Sequence, residues 1–99
     1  MNGEPLRRKV TITNLQGLHL RPITAFVELA VRFQSSVFVH KEGQERINGK
    51  SALGLLGLGA EQGTELTLEV SGPDQQEAME ALVAFLSNLA AEEDGVQTN

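Results

Sequence analysis

Alternation of apolar and polar residues limits the fold of this chain more than any other feature. Val10 and Ile12 alternate with polar neighbours near the start of the chain, and Leu66, Leu68 and Val70 do so later. Side chains on a strand point to opposite faces in turn, so this period of two predicts strands with one buried face each. A sheet built from such strands requires helices on one side only.

Between the predicted strands, apolar residues recur at the spacing of a helix. Ile23, Phe26, Val27 and Ala30 recur at i, i+3, i+4 and i+7, which places them on one face of a helix. In chain order we predict strand 8–14, helix 22–33, strand 37–41, strand 45–47, a short helix within 48–59, strand 65–70 and a helix that includes Ala78 and ends near Leu89. This order predicts an α+β fold, a two-layer sandwich of one mostly antiparallel sheet with helices on one face.

Two local patterns indicate where helices begin. Ser51 precedes a short apolar stretch and can cap a helix there. Asp74 and Glu77 have the spacing of a capping box, in which both side chains bond free backbone N–H groups at the helix start. Helices are therefore expected to follow both Ser51 and Asp74.

The composition describes one small domain. We expect its 99 residues to form a single unit, 1–99, with a core at 8–90 and flexible tails at 1–7 and 91–99. The net charge of −5 argues against nucleic acid as a partner, because phosphate binding requires a basic face. The basic stretch 7–9 is expected to be a solvated strand edge.

Cellular location and cofactors are constrained mainly by what the chain lacks. It has no cysteine, which excludes disulfides and thiol catalysis, and no apolar stretch that could insert in a membrane. Gly49, Lys50 and Ser51 resemble the end of a nucleotide-binding P-loop, but Gln44 stands where its first glycine is required. His40 has no carboxylate at ligand spacing and is expected to be exposed. We predict a cytoplasmic protein with no cofactor and no metal.

His19 is the candidate for chemistry. It precedes a helix start, where free backbone N–H groups and the positive end of the helix dipole favour an anion. Arg21 adds a permanent positive charge, and Gly17 permits a close backbone approach. A neutral imidazole is a nucleophile, so this arrangement suits a histidine that accepts a phosphoryl group.

Two motifs carry a resemblance to a known family. Gly17-Leu18-His19-Leu20-Arg21-Pro22 resembles the active-site signature of HPr, the histidine phosphocarrier of the bacterial phosphoenolpyruvate-dependent sugar phosphotransferase system, and 50–59 resembles its regulatory serine segment. The resemblance implies an open-faced β-sandwich with an antiparallel sheet of order 1-4-2-3 and three helices on one face. A small carrier of this kind is expected to be a monomer.

The resemblance further implies a role for His19. Its Nδ1 would take a phosphoryl group from phosphorylated enzyme I, giving a pros-phosphohistidine, and pass it to a histidine of an enzyme IIA domain. Arg21, together with the backbone amides of Leu20 and Arg21, would hold the phosphate. The chain would thus be a phosphoryl carrier and not an enzyme with its own turnover.

Other positions match the family's regulatory and docking residues. Ser51 matches the serine phosphorylated by the ATP-dependent HPr kinase/phosphorylase. This kinase and transcriptional regulators are the further partners that the resemblance implies. The implied docking residues are Leu20, Thr24, Ala52, Leu53 and Leu56. Leu55 and Leu58 are expected to face the core.

Some residues depart from the family pattern, and two other functions stay open. Leu20 and Ile23 replace small residues, and Glu28 and Val31 stand where basic residues are common in relatives. These changes bear on which partner docks. The alternatives are a regulatory adaptor or a nitrogen-type relay paralogue of HPr, which would act mainly by binding partners, and an α+β interaction domain in which the motif is accidental.

Overall fold

The computed structural model describes residues 3–91, in which a four-stranded sheet is covered on one face by three helices. The elements are β1 (Leu6–Thr11), α1 (Leu20–Ala30), β2 (Ser36–Lys41), β3 (Ile47–Asn48), α2 (Ala52–Leu58), β4 (Glu65–Ser71) and α3 (Gln75–Ser87). None of the helices in this part of the chain has the length and apolar character needed to cross a membrane.

All pairs of neighbouring strands are antiparallel, in the order β1-β4-β2-β3. The long central strand β4 pairs with β1 on one side, where Val10 lies opposite Leu66, and with β2 on the other, where Val39 lies opposite Leu68. The α+β class and the strand order 1-4-2-3 are thereby confirmed.

The core forms between the sheet and the helices, as the alternating pattern predicts. Leu66, Leu68 and Val70 of β4 are completely buried, while the residues between them face the other side of the sheet. The helices contribute further buried side chains: Ile23, Phe26, Leu55, Ala78, Met79, Leu82 and Leu86. Burying one large side chain of this kind stabilises the fold by about 2 kcal/mol, so the one-sided pattern decides which face the helices cover.

Element boundaries differ from the sequence prediction. Strand β1 covers 6–11 and not 8–14, so it begins inside the predicted N-terminal tail; residues 92–99 of the other predicted tail lie outside the described part of the chain. Helix α1 ends at Ala30. The amide of Val31 still bonds four residues back, but those of Arg32 and Phe33 bond three residues back, to Leu29 and Ala30. Strand β3 is reduced to two residues, Ile47–Asn48.

The predicted capping box at the start of α3 is wrong. Asp74 is the residue before the helix, but its side chain forms no bond with the first turn. Its carboxylate instead accepts the backbone N–H groups of Gln34 and Ser35, each at 3.0 Å, and the hydroxyl of Ser35. Asp74 therefore links the chain just after α1 to the start of α3, a contact between segments far apart in sequence.

The face of the sheet without helices is held by charges around Glu69. Arg7 and Arg46 bond the two oxygens of this carboxylate at 3.2 and 3.0 Å, and the Arg46 guanidinium lies 4.2 Å from the centre of the Phe38 ring. His40, predicted to be exposed, is half-buried, with its Nε2 3.8 Å from Glu69. Burial alone would raise the pKa of Glu69, but the bonds and charges of Arg46 and Arg7 outweigh it and leave this pKa below its usual value.

We predict that Asp74→Asn lowers thermal stability at neutral pH. The bonds from Ser35 and Gln34 lower the pKa of Asp74 below its usual 3.8. A lowered pKa in the folded state contributes stability above the unfolded-state pKa, and that contribution is lost as the pH falls through the folded-state value. The melting temperatures of wild type and Asp74→Asn should therefore converge in acid.

The control is Glu77→Gln, which removes a carboxylate in the first turn of the same helix. Its melting temperature should follow that of wild type over the same pH range. A gap between wild type and Asp74→Asn that stays constant down to strong acid would contradict the assignment.

Candidate functional site

His19 is the residue immediately before α1. Its backbone is extended, with φ −94° and ψ −173°, and its side chain does not cap the helix. The residue is half-buried, and the imidazole ring forms no hydrogen bond with any other residue in 3–91. Among the described residues, both ring nitrogens are thus without a hydrogen-bond partner at the start of a helix.

The loop before His19 is fixed by contacts with the loop before β4. The amide of Leu18 donates to the carbonyl of Ala60 at 2.8 Å. Gly17 has a positive φ of 69°, and a Cβ on it would lie 2.6 Å from the same Ala60 oxygen. Any larger residue at position 17 would displace one of the two loops. This explains why a glycine stands two residues before His19.

A buried asparagine completes this loop. Asn14 is 3% exposed, and its Nδ2 donates to the carbonyl of Gly17 at 2.8 Å, while the amide of Gly17 donates to the Asn14 carbonyl at 3.1 Å. The sequence pattern places Asn14 at the end of the predicted strand 8–14, where the loop to Gly17 begins, and gives it no functional role. A polar residue three positions before a glycine is common in turns, so the pattern alone gave no signal of its burial.

The first turn of α1 offers free donors beside His19. The intrahelical bonds begin with the amide of Ile23, which donates to the His19 carbonyl at 3.0 Å. Within the described residues the amides of Leu20 and Arg21 have no acceptor, and no acidic residue lies in this turn. These amides and the exposed Arg21 side chain, which forms no ion pair in that part of the chain, make this helix end positive.

The predicted docking residues lie on two helices that pack against each other, α1 and α2. Leu20, Leu53 and Leu56 are exposed by 60%, 81% and 48%. Thr24 is exposed and bonds the Leu20 carbonyl, whereas Ala52 is half-buried against the core. Leu20 thus presents an exposed apolar side chain directly after His19, and Leu53 and Leu56 present two more on the helix that packs against α1.

The predicted division of α2 into two faces is confirmed. Leu55 and Leu58 are buried, in contrast to Leu53 and Leu56. The predicted cap is confirmed as well, because the Ser51 hydroxyl accepts the amide of Gly54 at 3.0 Å. Ser51 is half-buried and thus keeps part of its surface in solvent.

Comparison with known proteins agrees with this arrangement. The family model described as the PTS HPr component phosphorylation site matches residues 6–88. Phosphocarrier protein HPr of Cupriavidus necator is 42% identical over 83 residues, which are 84% of this chain and 92% of that protein. This chain therefore belongs to the HPr family, the phosphocarrier proteins of the phosphotransferase system.

Solved structures of the family share the fold. HPr from Bacillus anthracis superimposes with a TM-score of 0.79 at 33% identity, covering 85% of this chain and 99% of that one. Crh from Bacillus subtilis, described as a catabolite repression protein and as a dimer with a swapped domain, gives a TM-score of 0.68 at 42% identity, with 84% and 94% of the two chains covered. Relatives thus include both HPr and Crh.

Proposed function

We propose that this chain carries a phosphoryl group on Nδ1 of His19, taken from phosphorylated enzyme I and given to a histidine of an enzyme IIA domain. The observation that supports this most is that, in residues 3–91, the His19 ring has no hydrogen-bond partner and lies beside amides of Leu20 and Arg21 that have no acceptor there. The chain acts as a carrier and has no turnover of its own.

In the transfer, the lone pair of Nδ1 on neutral His19 forms the new N–P bond. The N–P bond to the donor histidine breaks at the same centre, and its electron pair stays on the donor ring. The proton of the neutral His19 ring is then on Nε2. No water or further reactant takes part, so the step is balanced and reversible.

The residues around His19 are expected to stabilise the phosphoryl oxygens. The amides of Leu20 and Arg21 and the Arg21 guanidinium can donate to them, and charge-assisted bonds of this kind are stronger than neutral ones. A carrier must release its phosphate as readily as it takes it. A few donors in a solvent-accessible place, with the ring itself unconstrained, meet that demand.

Docking of partners is proposed on the exposed leucines of α1 and α2. Leu20, Leu53 and Leu56, flanked by Thr24 and Ala52, can fill the apolar centre of an interface, where such side chains lose the most water. Arg21 would supply a charge at its rim. Leu20 enlarges this surface next to the phosphate and is therefore the position at which the choice of partner would change most.

We predict that enzyme I and phosphoenolpyruvate place acid-labile phosphate on the protein, and that His19→Ala abolishes the labelling. Arg21→Ala should slow labelling about 100-fold, because it removes the charged donor from the transferring group. The measurement is the amount and rate of phosphate incorporation. His40→Ala removes the other histidine and is the matched control, which should be labelled as wild type. Labelling that survives His19→Ala would disprove the assignment.

Ser51 is proposed as a regulatory phosphorylation site. Its hydroxyl lies at the start of α2, next to Ala52 and Leu53 of the proposed docking surface, and a phosphate there would add about two negative charges to that surface. We predict that HPr kinase and ATP give acid-stable phosphate on Ser51 and that the modified protein accepts phosphate from enzyme I more slowly.

Ser51→Ala should remove the acid-stable label, whereas Ser36→Ala, a change at an exposed serine on the sheet, should keep it. Absence of label from Ser51 in the wild-type protein would refute the regulatory role. The proposal for His19 would not be affected by that result, because the two sites are tested with different phosphate donors.

The second candidate function is a regulatory adaptor or a nitrogen-type relay that binds transcriptional regulators. It is favoured by the similarity to Crh, a protein described in connection with catabolite repression. The two functions are distinguished by incubating the phosphorylated chain with enzyme IIA domains. Transfer to a sugar-type domain supports the carrier, and transfer to none of them supports the adaptor.

We propose a monomer as the active form, although the related Crh structure is a dimer. Support comes from the cover of the sheet, since the three helices of a single chain already bury its apolar face and no second copy is needed to complete the core. We predict a solution mass of 10.7 kDa by light scattering. Twice that mass at working concentrations would show that this chain associates as the relative does.

A further inference from the structure

We propose that Asn14 is a positioning residue for His19. This inference rests on the proposed phosphotransfer at His19 and concerns how the chain holds that residue for the reaction. Asn14 lies in the β1–α1 loop, five positions before His19, and its side chain is buried. It touches neither the imidazole nor the first-turn amides through any hydrogen bond in the described residues, so its effect is transmitted through the backbone.

The connection runs through one carbonyl. The Gly17 oxygen accepts the Nδ2 of Asn14 at 2.8 Å and the backbone amide of His19 at 3.1 Å. The bond from His19 spans only two residues, which is a tight turn with poor hydrogen-bond geometry. The shorter bond from Asn14 therefore fixes the carbonyl that in turn orients the backbone of His19.

Burying the Asn14 side chain is energetically unfavourable, and its hydrogen bond to Gly17 explains why an asparagine is nevertheless present. Its Oδ1 is buried and has no hydrogen-bond partner in the described residues. An unpaired buried oxygen is unfavourable, and a leucine of similar shape would avoid it. For packing alone an asparagine is a poor residue at this position. What it adds is the Nδ2 donor to Gly17, which no apolar side chain supplies.

Because the Gly17 carbonyl accepts two donors, the His19 amide can leave it without leaving the oxygen unpaired. The Gly17 residue is buried, and a buried carbonyl without a partner is costly. If the His19 amide leaves this oxygen when the ring is phosphorylated, Asn14 keeps it bonded. The same contact thus serves the free and the phosphorylated protein.

The experiment compares Asn14→Leu and Asn14→Ala with wild type in phosphate transfer from enzyme I. Asn14→Leu fills the volume of the asparagine side chain but has no donor for the Gly17 carbonyl. Asn14→Ala also lacks the donor and is the second variant in case leucine prevents folding. The maximal transfer rate should fall about fivefold, as expected for the loss of one orienting hydrogen bond. The protein concentration that gives half the maximal rate should not change, because the docking surface is intact.

Two further measurements separate positioning from stability. Hydrogen exchange at the His19 amide should be faster in both variants. The melting temperature of Asn14→Leu should fall by less than about 3 °C or rise, since the unpaired oxygen goes together with the bond. Asn88→Ala is the control: Asn88 follows the end of α3 and its side-chain amide donates to the carbonyl of Ala84 at 2.9 Å, and loss of this bond should leave transfer unchanged.

Transfer at the wild-type rate by a folded Asn14→Leu or Asn14→Ala would overturn the proposal. A rate that falls only in proportion to the unfolded fraction would overturn it as well. The proposed function fails separately, through absence of labelling in the wild-type protein measured in the same assay.

Discussion

The pairing of β1 with β4 is the constraint on which the rest of the structure depends. It places the end of β1 beside the start of β4, with Thr11 opposite Glu65. The loop that leaves β1 and the loop that enters β4 must therefore meet, and backbone bonds join them from Ile12 to Thr64 and from Leu18 to Ala60. The start of α1, and with it His19, is positioned by this junction.

The proposed phosphotransfer depends on the small number of hydrogen bonds made at His19. The ring has no hydrogen-bond partner in residues 3–91, and the donors nearby are two backbone amides and the Arg21 side chain. What is particular to this chain is the turn that presents them: a glycine pressed against Ala60 and a buried asparagine that bonds the same glycine. Within the described residues the reactive side chain has no hydrogen bond, whereas its backbone bonds the Gly17 carbonyl that Asn14 also holds.

Sequence reasoning predicted features that arise from local patterns or from the family resemblance. The one-sided sheet, the cap at Ser51 and the division between Leu53 and Leu55 all follow from periodicity over a few residues or from a matched motif. The strand order came from the resemblance, because alternation does not specify which strands are neighbours. Element ends were predicted less accurately: the helix predicted to reach residue 33 ends at Ala30, where three-residue turns replace it.

The failures involve residues whose partners are distant in sequence. Asp74 has the spacing of a helix cap, but Ser35 and Gln34 compete for its carboxylate once the fold brings them together. His40 is half-buried because Glu69 and its arginines gather on the same face. The buried amide of Asn14 could not be distinguished from an ordinary turn residue. In each case the deciding contact exists only in three dimensions.

One face of the sheet is covered by helices and the other carries charged side chains, so partner binding and surface charge depend on different residues. Helices with His19, Ser51 and the exposed leucines lie on one face, whereas the other carries ion pairs and an arginine stacked on an aromatic ring. Substitutions on the charged face can therefore alter surface charge and solubility while the helical face is preserved. A chain built in this way can adapt to a new cellular environment and to a new partner by changes in separate sets of residues.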